Sequence, residues 1–243
     1  MASGSRSIDP PPKVLAFDVF GTVVDWHGGI AAETARLAAT HGIEGDWTAF
    51  ARAWRAGYGP AMDKVRRGEL PWSSIDALHR MILDGIVDAH GLGAASEAER
   101  DHLNRAWHRL APWPDTVPGL LRLKRRFTLT TLSNGNFSLL TGMARHAGLP
   151  WDCIVSAELF GHYKPDPEVY LGCAGLLDVL PTELMLVACH VLDLRAARAS
   201  GLRTAFVQRP LEAGPATVPP PFEADEFDIV ADDFEHLAGL LSA

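Results

Sequence analysis

Hydrophobic positions change their spacing twice along this chain. Val14-Leu15-Ala16-Phe17 is a short continuous apolar run, the pattern of a strand buried on both faces of a parallel sheet. From about Ile30 to Leu110 apolar residues recur at helical spacing in a background rich in Ala, Leu, Arg and Glu, with almost no strand-like runs. The spacing predicts helices over Ala31–Ala39, stopped by His41-Gly42, and over Trp47–Tyr58, interrupted by Gly57 and Gly59-Pro60. Two more are predicted over Ser73–Ala89 and Ala98–Leu110. Past Pro112-Trp113-Pro114-Asp115 the pattern alternates. Strands are predicted at Phe127–Leu132, Cys153–Val155, Leu184–Ala188, Thr204–Val207 and Phe227–Val230. Between and after them lie helices at Val117–Lys124, Phe137–Ala147, Pro167–Leu177, Leu194–Ser200 and Phe234–Leu241. Leu211–Phe222, rich in Pro and Gly, reads as a loop.

Strands alternating with helices of this length imply right-handed βαβ units, so the expected fold class is α/β with a doubly wound parallel sheet. A helical block placed directly after the first strand reads as an inserted α-helical cap domain. The expected division is an α/β core over residues 13–28 and 114–243, a helical cap over 29–113, and a flexible lead-in over 1–12. The lead-in is polar and Pro-rich and has no apolar run of the kind a signal peptide carries. An apolar fraction of 47% suits a sizeable core. A net charge of −8 argues against a nucleic-acid or acidic-membrane partner, and no apolar run approaches the roughly 18 residues of a spanning helix. Three widely spaced cysteines without a Cys-x-x-Cys pair fit reduced thiols in the cytoplasm better than a disulfide frame or a zinc site.

Chemistry concentrates where strands run out. Asp18 follows Val14–Phe17 and precedes Gly21-Thr22; ligand crevices of open α/β sheets lie at these carboxyl ends. A nucleophile and a turn-capping Asp both fit. Ser133-Asn134 follows a predicted strand and offers a hydroxyl, an amide and main-chain N–H groups to an anion, although Ser, Asn and Gly are also turn formers. Lys164 sits before Pro165, where an exposed lysine fits equally well. His190 and Asp193 follow the strand Leu184–Ala188. Arg55 lies on a predicted amphipathic helix beside Arg52, consistent with a solvated face or with a charge turned to a cleft. Trp72, His79, Trp107 and Trp113 suit either core packing or a cleft lining.

In order along the chain, Asp18-x-x-x-Thr22, Ser133-Asn134, Lys164-Pro165-Asp166 and the segment Cys189–Asp193 resemble the four motifs of the haloacid-dehalogenase superfamily. Ala53-Trp54-Arg55 with Tyr58 resembles the segment through which its type II (S)-2-haloacid dehalogenases present an Arg to the departing halide. The resemblance covers nearly the whole chain from Lys13 onward. It implies that Asp18 attacks C2 of a short 2-haloalkanoate in line, giving an aspartyl ester with inversion and releasing halide toward Arg55 and Asn134. Water oriented by Asp193, Lys164 and His190 then frees a 2-hydroxy acid. The substrate carboxylate is expected against Ser133, Thr22 and the N–H groups of Val19 and Phe20, with Tyr170 lining the pocket. Two departures sharpen the expectation. Phe20 stands where phosphatases of the superfamily carry a general-acid Asp, and Cys189 replaces an acid of the metal-dependent members. A halide, unlike an alkoxide, needs no proton to leave, and a hard cation wants several oxygen ligands. The expectation is therefore a metal-independent hydrolase without cofactors, acting on a small halogenated carboxylate, with a homodimer implied by the family. A phosphatase or phosphonate hydrolase of the same superfamily, and a non-catalytic binding module, are the alternatives.

Overall fold

The computed structural model describes residues 11–214, 221–223 and 225–243. The expected lead-in falls almost wholly outside these residues, as does the middle of the loop expected over Leu211–Phe222. Five parallel strands form one sheet: β1 (Val14–Phe17), β2 (Thr128–Thr131), β3 (Leu184–Ala188), β4 (Arg203–Val207) and β5 (Ile229–Ala231), in the order β2-β1-β3-β4-β5. Phe17 is opposite Thr131 on one side and Val187 on the other, so the carboxyl ends of the three strands are level. The segments leaving those three ends therefore meet at one edge of the sheet.

Period-two alternation explains how β1 serves both faces. Leu15 and Phe17 join a cluster with Leu120, Leu140 and Phe234, while Val14 and Ala16 join another with Tyr170, Leu186 and Leu194. The first face is covered by α6 (Thr116–Leu123), α7 (Phe137–Ala147) and α10 (Phe234–Leu240), the second by α8 (Pro167–Leu176) and α9 (Val191–Ala199). The Phe17 ring packs 5.3 Å from Trp151 and 5.4 Å from Phe234; burying such a side chain is worth about 1.5–3 kcal/mol.

Between β1 and β2 lie α1 (Trp26–Thr40), α2 (Trp47–Ala56), α3 (Tyr58–Arg66), α4 (Ile75–Ile86) and α5 (Glu97–Asn104). Trp54 and Trp107 sit at the centre of this block, with ring centroids 5.5 Å apart. The first helix starts earlier than its apolar spacing indicates, because the Asp25 carboxylate caps it by accepting from Gly28 N at 2.8 Å. The helix expected over Trp47–Tyr58 is two helices. Gly57 joins them at a close approach, since a Cβ there would come within 2.5 Å of Ile82, and Pro60 sits in the first turn of α3, where its missing N–H costs nothing.

Two other expectations are corrected. Cys153–Val155 is not a strand; it makes only an isolated bridge between Cys153 and Thr130. Its pairing with β2 is carried by side chains, with Thr131 Oγ1 both donating to Val155 O at 2.8 Å and accepting from Val155 N at 3.0 Å. The helix expected from Leu194 starts at Val191, which places Asp193 in its first turn, where the helix dipole favours an anion. Among the described residues no helix is long and apolar enough to cross a membrane.

Candidate active site

Asp18 is the first residue past β1 and is only 7% exposed. A buried carboxylate must be satisfied on both oxygens, and it is. Oδ1 accepts from Lys164 Nζ at 2.9 Å. Oδ2 accepts from Thr22 Oγ1 at 2.8 Å and lies 3.0 Å from His190 Nδ1. Lys164 Nζ also donates to Asp193 Oδ2, whose other oxygen accepts from Tyr170 OH at 2.6 Å. The ammonium thus sits between two carboxylates from different strand ends.

These contacts set the charges. Burial alone would raise the Asp18 carboxyl, but Lys164 and His190 outweigh it and hold it far below the usual carboxylate range. Burial opposes the charge on Lys164, yet Asp18 and Asp193 overcome it and keep the ammonium protonated beyond the usual lysine range. Burial and the Asp193 carboxylate push the Tyr170 phenol well up, so it stays a donor. Burial also works against His190, but Cys189 and Asp18 raise it well above the ordinary histidine value.

The backbone around Lys164 is fixed from two directions. Asn134 Oδ1 accepts from Lys164 N at 2.7 Å, and Arg66 of α3 donates to Lys164 O at 2.9 Å. The Asn134 side chain is therefore engaged by main chain. Ser133 is buried, its Oγ accepting from Gly135 N at 3.2 Å, which leaves its hydroxyl proton free to turn. Among the described residues no acceptor takes the N–H of Val19 or Phe20, so both can serve an anion beside Asp18. Phe20 points into the helical block, 5.7 Å from the Trp107 ring. Arg55 lies 4.2 Å above the Tyr58 ring and 5.8 Å from Trp26, an arrangement that suits guanidinium. Val19, Phe20, Thr22, Ser133, Asn134, His190 and Asp193 thus reach the site from the ends of β1, β2 and β3, Lys164 and Tyr170 from just before and within α8, and Arg55 is the one expected site residue supplied by the helical block.

Glu212 joins the site although no motif marks it. Its Oε1 accepts from Trp26 Nε1 at 2.6 Å and lies 3.3 Å from His190 Nε2. Burial would raise its carboxyl, but His190 and Trp26 lower it, with a contribution from the Arg55 charge. The position is anchored: Arg209 donates to Thr22 O at 2.8 Å and pairs with both oxygens of Asp115 at 2.9 and 2.8 Å. Gly21, at φ +85°, makes room for it, as a Cβ there would come 2.5 Å from Glu212 Cγ. Only the fold brings Glu212 to His190, so sequence reasoning has no signal by which to find it. His79 is a second case. It stacks 4.1 Å from Trp107 with both ring nitrogens unpaired among the described residues, and burial with the nearby Arg55 charge pushes its pKa down to about 3.

The donor set does not fit a hard divalent cation. The Phe20 side chain offers no oxygen, Cys189 offers a thiol, and the Lys164 ammonium already lies between Asp18 and Asp193. Among the described residues no group of three or more His, Cys, Asp and Glu side chains is arranged to hold a metal ion. What remains is a carboxylate held ionised by an ammonium, with the apolar Phe20 ring two residues after it.

Comparison with known proteins shows similarity over nearly the whole chain. Residues 12–201 match the family model of haloacid dehalogenase-like hydrolases. (S)-2-haloacid dehalogenase 1 of a Pseudomonas species (strain CBS-3) is 30% identical over 210 residues, spanning 82% of this chain and 86% of its own. Among solved structures, a defluorinating L-2-haloacid dehalogenase is 46% identical, with a TM-score of 0.91 and 96% of each chain covered. A second L-2-haloacid dehalogenase is also 46% identical, with a TM-score of 0.88 over 95% of this chain and 99% of its own.

Proposed function

The chain belongs to the haloacid dehalogenase-like hydrolases, and on that premise we propose that it hydrolyses short L-2-haloacids to 2-hydroxy acids through an ester on Asp18. The observation that carries the reading is the Asp18 carboxylate, held ionised by Lys164, in a site with Phe20 in place of a leaving-group acid. An alkoxide or phosphate-ester leaving group needs that proton; a halide needs only a positive cradle. The similarity to L-2-haloacid dehalogenases supports the same reaction.

In the first step an Asp18 oxygen attacks C2 from the side opposite the halogen, which inverts the carbon and sends halide toward Arg55 and Asn134. Ser133 and the free N–H groups of Val19 and Phe20 receive the substrate carboxylate, while Thr22, expected there as well, gives its hydroxyl proton to Asp18 instead. In the second step water attacks Cγ of the Asp18 ester, and an alcohol leaves. Lys164 offsets the negative charge that develops on the Asp18 oxygens. The helical segment 29–113 acts as a cap that carries Arg55 over the site and excludes water from the first step. The proposal extends to a metal-independent enzyme of the cytoplasm acting on a free small carboxylate, and to the homodimer implied by the family.

The test is halide release from L- and D-2-chloropropionate and from fluoroacetate with EDTA present throughout. Chloride from the L isomer alone, with D-lactate as product, is expected. Fluoride release is expected as well, since one similar structure is of a defluorinating enzyme. Activity surviving in D18N, or Mg²⁺-dependent hydrolysis of p-nitrophenyl phosphate without any halide release, would overturn the reading.

A further inference from the structure

We propose that His190 and Glu212 form the general-base pair that hydrolyses the Asp18 ester, with His190 taking the proton from water and Glu212 positioning it. The inference rests on the dehalogenase reading above and assigns a step within it.

The geometry separates the two nitrogens of His190. Nδ1 lies 3.0 Å from Asp18 Oδ2, so a water placed against Asp18 Cγ is within its reach. Nε2 faces the Glu212 carboxylate at 3.3 Å. A carboxylate there holds a proton on Nε2 and leaves the Nδ1 lone pair aimed at Asp18. The ring is about one-third exposed, with its side chain at 31% of full accessibility, which leaves a path for water. Asp193 is less suited to the same task. Both of its oxygens already accept donors, Lys164 Nζ and Tyr170 OH, which leaves them turned away from a water at Asp18.

The charge on Asp18 switches the pair on. In the free enzyme the groups facing His190 are Asp18 from the end of β1, Glu212 from the loop after β4 and the neighbouring Cys189. With both carboxylates ionised, the imidazolium is the stable form and cannot act as a base. Alkylation converts Asp18 into a neutral ester and removes one of those two negative charges. His190 then releases a proton to solvent and becomes a neutral imidazole held by Glu212. Water adds to Cγ and its proton goes to Nδ1. The tetrahedral intermediate collapses, the C–O bond between Cγ and the substrate oxygen breaks, and that oxygen takes the proton from Nδ1. The resulting Asp18 acid passes its own proton to His190, which restores the starting ion pair. One water is consumed, and one proton is released for each halide.

The test separates the two half-reactions in E212Q, which keeps the size of the side chain and an acceptor for Trp26 Nε1. Rapid quench with L-2-chloropropionate should show a burst of about one chloride per site at close to the parent rate. Steady-state turnover should fall about 100-fold, the lower end of a general-base contribution. Intact-protein mass spectrometry should then show the accumulated ester. E212D should recover part of the turnover, and the rise of kcat with pH should move to lower pH in E212Q than in the parent enzyme. H190Q, a second variant, should accumulate the same ester. Turnover unchanged in both variants, or burst and turnover falling together in folded protein, would overturn the assignment. A parent enzyme that releases no halide and forms no adduct would instead overturn the dehalogenase reading, and the assignment with it.

Discussion

Replacing Lys164 with Met tests whether the ammonium is what makes Asp18 a nucleophile. The substitution keeps an unbranched side chain of similar length and removes a charge that lies 2.9 Å from Asp18 Oδ1. With an effective dielectric of about 20, one such contact is worth roughly 6 kcal/mol before desolvation. Part of that attraction offsets the burial of three charged groups, so removing one partner should cost about 3–5 kcal/mol of folding stability. The same loss should carry the Asp18 titration upward by several pH units, because each unit corresponds to about 1.4 kcal/mol. The assay is single-turnover halide release from L-2-chloropropionate between pH 4 and 8, with urea unfolding run alongside. In the parent enzyme the acid limb of alkylation should be flat, since Asp18 stays ionised throughout. In K164M alkylation should fall as the pH drops and recover at the alkaline end. A flat profile at the parent rate, with unfolding unchanged, would refute the idea that Lys164 holds Asp18 ionised.

The helical block gives two further expected outcomes. H79F should be at least as stable as the parent at neutral pH, because it removes two unpaired buried ring nitrogens, each of which costs about 1–3 kcal/mol, and keeps the stack on Trp107. It should also lose a part of the parent's acid sensitivity. The folded-state pKa of about 3 lies below the ordinary 6.5, so between those values the unfolded chain binds the extra proton and the parent loses about 1.4 kcal/mol per pH unit on acidification. Urea unfolding of both proteins from pH 4 to 7 checks this, and parallel curves would contradict it. R55A should slow halide release about 100-fold. The loss should be larger for chloride than for iodide, because a small ion with concentrated charge leans harder on the guanidinium; equal losses would show that Arg55 does not face the halogen.

Much of this arrangement is legible in the chain because local rules and long-range roles coincide in it. β1 is a continuous apolar run, and Asp18 follows it directly, so strand, strand end and buried carboxylate are written in adjacent letters. Lys164 and Asp193 are placed by motif order rather than by any local signal. The places where sequence reasoning fails have physical causes. Cys153–Val155 has strand-forming residues, yet Thr131 competes for its main chain through a side chain, which a propensity argument does not see. Val191 and Leu192 conceal a helix start, because His190 provides no side-chain cap. Glu212 lies in a stretch whose composition says only loop, and it meets His190 through the Arg209 anchor on Thr22 and Asp115. Contacts between residues so far apart in sequence leave no periodicity to detect.

The strand order has a consequence for how this chain is made. β1 is laid down first, yet both of its neighbours come late: Val14 pairs with Thr128 on one side and Leu184 on the other. At synthesis rates of roughly 5–20 residues per second, the strand waits on the order of ten seconds for either neighbour. Meanwhile all five helices of the block behind it have left the ribosome. The segment Val14–Phe17 passes that interval as an apolar strand with two open edges, the form most prone to pair with the wrong chain. A chain that sets a buried carboxylate just past its first strand therefore leaves that strand unpaired until Thr128 is made, and any stall before that point releases a chain whose first strand has no neighbour to pair with.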